Sequence, residues 1–291
     1  MNAQYDYDDK TDWEPSKYRG MYKDLNIDAK KESEALRDEW TRESPTVRFW
    51  EVDLLRGVAI LLMVLYHLVF DLNYFAVYDI DVSSGFWLAV ARAAVSLFLL
   101  LVGLSLTLSH SRARLQGQED RFRLRLLKRS CWILSLALGI TIVTSLFIGK
   151  GFIVFGVLHL IGLSLLLAYP FLRLKRANII FGLLFVLLGI YLQDISVGFP
   201  WLLWLGLAPL DFYSVDYFPV FPWFGVILVG MSLGSQLYPG YRRRIPVPDF
   251  SRSPFVIALA FLGRNSLAIY LVHQPVIIAI LCLAGIAMPW L

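Results

Sequence analysis

Seven stretches of this 291-residue chain are apolar for long enough to leave it few folds to choose from. Crossing about 30 Å of hydrocarbon at about 1.5 Å per residue takes about 20 mostly apolar residues. Residues 54–75, 86–108, 131–148, 152–169, 177–192, 217–237 and 265–283 meet that requirement. Two shorter apolar pieces, 200–210 and 254–262, cannot span and read as interfacial or re-entrant segments. The fold these runs predict is all-α, a polytopic membrane helix bundle of about seven full spans. Composition agrees: 57% of residues are apolar and 17% charged, against roughly 45–50% and 25% in soluble domains. That excludes a water-soluble enzyme, a nucleic-acid binder and a disordered scaffold.

The net charge of +4 carries no preference for nucleic acid, because the basic residues collect in a few loops. Arg112, Arg114, Arg121, Arg123, Arg125, Lys128 and Arg129 follow the second run. Arg173, Lys175 and Arg176 follow the fourth, and Arg242, Arg243, Arg244 and Arg252 the sixth. The alternate loops hold Lys150 alone among basic residues, beside Asp79, Asp81, Asp194, Asp211 and Asp216. Lysine and arginine stay on the cytosolic side, which predicts a cytosolic N-terminus and an external C-terminus. Residues 1–46 form a separate polar tail, too poor in aliphatic residues to build a core. It reads as disordered or as a surface helix, with Trp13, Tyr18, Tyr22 and Trp40 as docking points for a protein partner or the headgroup layer. The membrane domain is 47–291. No removable signal peptide is visible, and Cys131 and Cys282 lie in apolar surroundings that suit neither a disulfide nor a metal site.

Ionisable residues inside spans are costly and tend to mark function. The first span carries Asp53, Arg56, His67 and Asp71. At 100° per residue, His67 and Asp71 return to within about 20° and 60° of Arg56, so one polar stripe runs along the helix. Arg56 lies near the cytosolic interface and His67 about 16 Å deeper. Arg92 enters the second span at a comparable depth, which predicts an Asp71–Arg92 ion pair. His159 and His273 fall in the fourth and seventh spans, where interhelical hydrogen bonding and function are equally good readings. Three histidines on three helices, with no paired-ligand motif, argue against a metal. Glycine-rich phosphate loops and nucleophile elbows are absent as well.

A neutral imidazole with a carboxylate one turn away is a general-base pair: the acid fixes the tautomer and the ring accepts a proton. His67 and Asp71 have that spacing. Arg56 and Arg264 at the cytosolic ends suit phosphate, which guanidinium binds through paired hydrogen bonds. Base and phosphate clamp together suggest group transfer across the bilayer.

The run Asp53-Leu-Leu-Arg-Gly-Val-Ala-Ile-Leu-Leu-Met-Val-Leu-Tyr-His67 resembles the first span of two related groups of membrane acyltransferases. One is the family of the heparan-α-glucosaminide N-acetyltransferase catalytic domain, with its prokaryotic relatives. The other is the type-three acyltransferases, whose arginine, ten residues and histidine match Arg56 to His67. Phe155-Gly-Val-Leu-His-Leu-Ile-Gly162, Phe221-Pro-Trp-Phe-Gly-Val-Ile-Leu-Val-Gly230 and Gly263-Arg-Asn-Ser-Leu-Ala-Ile-Tyr-Leu-Val-His273 match the heparan-type family in order. The chain departs from the heparan enzyme at three points. His67 replaces an asparagine, Tyr78 stands at its proposed catalytic histidine, and His159 replaces a glutamine.

The resemblance implies acyl transfer, usually of acetyl, from a cytosolic acyl-CoA co-substrate to a hydroxyl or amine acceptor, glycan-like, at the opposite face. It places His67 at the catalytic histidine, with Asp71 orienting it or the ring itself carrying the acyl group. Arg56, Arg264 and Asn265 fall on the acyl-CoA side, and Arg92, His159 and His273 support the site. The partners implied are membrane lipid and the acceptor, without nucleic acid, and the host is a prokaryotic inner membrane. Two other classes fit the same residues: a non-catalytic membrane subunit that retains the scaffold, and a transporter using the buried charges.

Overall fold

The computed structural model describes residues 48–286 except 76 and 80. The tail 1–46, with its docking reading, lies outside the described residues. Among those described, eight α-helices occur. They are α1 (Trp50–Tyr74), α2 (Gly85–Leu115), α3 (Glu119–Phe147), α4 (Val157–Leu167), α5 (Asn178–Leu192), α6 (Val220–Leu237), α7 (Pro254–Arg264) and α8 (Ser266–Leu283). The one β-type pairing among them is the isolated bridge Ser196–Ala208.

Six helices have the length and apolarity to cross a membrane: α1, α2, α3, the segment Lys175–Leu192 that contains α5, α6 and α8. Exposed Ile180, Leu183, Leu184, Leu187 and Ile190 coat α5, as lipid contact requires and water would penalise. Helix α2 runs for 31 residues, about 46 Å, so its basic end projects past the hydrocarbon. The arginines read as a loop therefore sit largely on the ends of α2 and α3, joined by the short turn at Gln116–Gln118.

Two segments depart from the sequence reading. The fourth expected span is helical over only Val157–Leu167, 11 residues. Gly149 and Gly151 take positive φ, which holds the preceding chain out of the helix. Its non-helical backbone is satisfied from outside: Val215 N–H donates to Gly151 O and Phe218 N–H to Phe155 O, both at 2.9 Å. Thr144 Oγ1 accepts from Ile153 N–H (3.1 Å) and Thr141 donates to Ile153 O (2.7 Å). Such closure is what irregular backbone at membrane depth demands.

The second departure is residues 254–262, expected as a re-entrant piece. They form α7, which packs along α1 and leads through Asn265 into α8. The order of contacts fixes the direction. Phe250 meets Trp50, Leu259 O lies at Gly57, His273 meets His67 and Gln274 meets Asp71. Helices α7 and α8 thus form one broken element running with α1. Residues 200–210 fold as irregular loop with a single 3-10 turn, Leu203–Leu205, whose Leu203 carbonyl accepts the Tyr217 hydroxyl (2.7 Å).

Lipid gives helices no hydrophobic reason to associate, so small residues and close backbones must hold the bundle. Gly57 and Gly263 do so between α1 and α7: a Cβ on either would collide with backbone of the other helix, Leu259 O or Asp53 O. Gly103 and Gly230 play the same part between α2 and α6. The core is centred on Leu99, Leu160, Phe224, Ile227, Leu228 and Met231, from α2, α4 and α6.

Candidate functional site

The polar stripe of α1 faces protein along its length. At its cytosolic end Arg56 Nη1 donates to Asp53 Oδ1 (3.0 Å) and Nη2 to Ser105 Oγ on α2 (2.7 Å). That arrangement ties two helices together while keeping the guanidinium half-buried. Arg264 and Asn265, at the α7–α8 break, are both exposed. Each turns part of its side chain back on α7: Arg264 Nε donates to Ala260 O (3.1 Å) and Asn265 Nδ2 to Phe261 O (2.9 Å).

Deeper in the bundle, two imidazoles meet. The His67 and His273 rings lie edge to face, with centroids 4.7 Å apart. Each ring's Nδ1 sits on a carbonyl of its own helix: His67 on Met63 O at 2.9 Å, His273 on Tyr270 O at 2.7 Å. A carbonyl oxygen can only accept, so each Nδ1 carries the proton and each Nε2 is left with a lone pair. His273 is 9% exposed, and its Nε2 is buried without a partner. His67 is half-buried, and its Nε2 has no bond among the described residues.

Asp71, 3% exposed, does not pair with Arg92. Arg92 lies on an exposed face of α2 and takes part in no ion pair among the described residues. The expected Asp71–Arg92 pair is therefore corrected. The two residues share a depth, but the α2 face bearing Arg92 turns away. Both Asp71 oxygens instead accept from Gln274 Nε2, at 2.8 and 2.9 Å. Asp71 likewise does not orient His67, a task the Met63 carbonyl performs. The Gln274 Oε1 atom is buried without a donor.

His159, 7% exposed, is committed on both sides. Its Nδ1 accepts from Gly156 N–H (3.2 Å), which leaves Nε2–H for Thr141 Oγ1 (3.3 Å). It closes the first turn of α4 and has no free nitrogen. Beside the histidine pair, the Tyr270 hydroxyl donates to Asp216 Oδ2 (3.3 Å), which also accepts Val157 N–H (3.2 Å). Burial pushes the Asp216 carboxyl up to about 6, against the downward pull of those two donors. Asp216 thereby binds α8, the start of α4 and the loop before α6.

The sequence reading passed over Gln274 and Tyr270 and took Asp216 for a loop charge. Gln274 did leave a signal: it is the sole Asn or Gln in the apolar run of α8. Among the described residues no group of three or more His, Cys, Asp or Glu side chains is placed to hold a metal ion.

The family described as heparan-alpha-glucosaminide N-acetyltransferase, catalytic, matches residues 48–275. The chain belongs to that family. No curated protein and no solved structure matches it. With six helices fit to cross a bilayer, this heparan-alpha-glucosaminide N-acetyltransferase relative is an integral, multi-pass membrane protein of an acetyltransferase-type family. The match covers α1 through the first half of α8, so the histidine pair and Gln274 lie within it.

Proposed function

We propose that this protein transfers an acetyl group from cytosolic acetyl-CoA to an acceptor at the opposite membrane face. The observation that carries the reading is the pair of imidazoles with fixed tautomers, whose basic nitrogens are kept from every protein donor. In a protein interior an unpartnered buried acceptor is an expense, and such sites concentrate where chemistry is done. Family membership supplies the reaction class.

Seven passes support this topology: α1, α2, α3, the 152–169 segment antiparallel to α3, α5, α6 and the broken α7–α8. The antiparallel course rests on two contacts: Thr141, late in α3, meets His159, and Arg123, near its start, covers the Tyr169 ring at 5.5 Å. The basic ends of α2 and α3 then lie in the cytosol, and the host is a prokaryotic inner membrane. The exposed Arg264 and Asn265, with Arg56 behind them, line the cytosolic side where the CoA phosphates would be held. Their donor chemistry fits that task, since guanidinium and amide N–H groups suit phosphate oxygens.

In the transfer itself, His67 Nε2 takes the proton of the acceptor as its oxygen or nitrogen attacks the thioester carbon. The C–S bond breaks, the acyl bond to the acceptor forms, and His67 returns the proton to the departing thiolate. The Met63 carbonyl holds Nδ1–H throughout and keeps the reactive nitrogen facing the same way. General-base catalysis of this kind contributes roughly 10²- to 10⁴-fold. His67→Ala in the purified full-length protein is expected to lose at least the lower figure in acetyl transfer, while acetyl-CoA still raises the melting temperature. Full transfer by His67→Ala, or no acetyl-CoA-dependent shift in the wild type, overturns the reading.

A further inference from the structure

His273 Nε2 and Gln274 Oε1 have the same defect. Both are buried acceptors with no donor in reach, on consecutive residues of α8, in side chains turned toward α1. The Gln274 amide cannot supply the missing donor, because its nitrogen is committed to both Asp71 oxygens. Nor can either histidine, since each Nδ1–H is held by a main-chain carbonyl. What faces this point is acceptors only: His67 Nε2, His273 Nε2 and Gln274 Oε1. Leaving a buried acceptor unpaired costs about 1–3 kcal/mol, so the arrangement is suited to a guest that brings at least two N–H or O–H donors.

An acyl thioester brings none to its reacting end, so this is the acceptor's seat. An alkyl ammonium brings three, but it must be stripped of water at membrane depth, where unpaired charge is most expensive. The carboxylate that would balance it, Asp71, is already occupied by Gln274. Neighbouring hydroxyls bring two donors without a charge and leave an oxygen free to attack.

We infer that His273 and Gln274 seat a pair of adjacent hydroxyls of a polyhydroxy, sugar-like acceptor, and that this protein acylates oxygen. The inference rests on the acyltransferase reading above and specifies its acceptor. Asp71 is then a positioning residue: its carboxylate holds the Gln274 amide so that Oε1 faces the guest.

The test uses full-length protein labelled with ¹⁵N-histidine, in nanodiscs without acetyl-CoA. Methyl glucoside is the probe, with its fully O-methylated ether and propylamine as comparisons. Methyl glucoside is expected to move the unprotonated Nε2 resonance of His273, assigned by its loss in His273→Phe, whereas the ether leaves it in place and propylamine moves it less. His273→Phe and Gln274→Leu should each raise the half-saturating methyl glucoside concentration about tenfold, the worth of one hydrogen bond. Acetyl-CoA binding should be unchanged in both. A stationary resonance, equal movement by the ether, tighter binding of propylamine or unaltered half-saturation in folded variants overturns the seat. The resonance arm needs no variant that might misfold and no turnover. If wild-type protein does not bind acetyl-CoA, the acyltransferase reading fails while methyl glucoside still decides the seat.

Discussion

At the scale of single residues, the three membrane histidines divide by what their nitrogens touch. His159 spends both on neighbours, Gly156 N–H and Thr141 Oγ1, and so belongs to the architecture of α4. His159→Ala should cost roughly 1–3 kcal/mol for the two bonds and the backbone donor left bare. A thermal melt in detergent would measure it, with acetyl-CoA binding retained in the surviving fold. Unchanged stability together with lost transfer would move His159 into the chemistry. The stripe Asp53, Arg56, His67 and Asp71 was legible beforehand, because helix periodicity alone puts those side chains on one face. Asp71's partner was not. Sequence gives the depth of Arg92, but the direction it faces depends on how α2 is rolled against its neighbours, and that is fixed by tertiary packing at Gly103 and Gly230. Gln274, an uncharged amide, took the place assigned to the arginine.

At the scale of elements, hydropathy located the six long helices because lipid imposes a length on anything that crosses it. It mis-sorted the two short ones because length is not continuity. Helix α7 is too short to cross alone, yet it continues into α8 past Asn265. The fourth pass begins as extended chain because positive-φ glycines hold it out of helix until Val157. The α1–α7 contact supports this broken element, and it depends on glycine at the crossing. Gly263→Leu would drive a side chain into Asp53 O and the Gly57 backbone. Overpacking of this kind costs about 1–3 kcal/mol or more. The variant should lower the melting temperature markedly, whereas Gly139→Leu, where a Cβ meets nothing within 4 Å, should leave it nearly unchanged. Equal melting temperatures for the two would show that the crossing is not tight.

At the scale of the whole molecule, the asymmetric placement of basic residues makes a prediction that needs no knowledge of the reaction. With Cys131 and Cys282 replaced by serine, a single cysteine at Arg121 should be labelled by an impermeant maleimide only when the cytosolic side is opened, and one at Lys150 from outside in intact cells. The reverse pattern would invert the orientation and move the acyl donor to the other face. Within that frame, the setting of the two imidazoles has a consequence for how such a protein can vary. The groups that dictate which ring nitrogen is basic are Met63 O and Tyr270 O, atoms every amino acid possesses. Genetic drift can therefore exchange the acids and amides around the rings, altering what is accepted, while the backbone keeps both lone pairs available; specificity can wander without the chemistry being rebuilt.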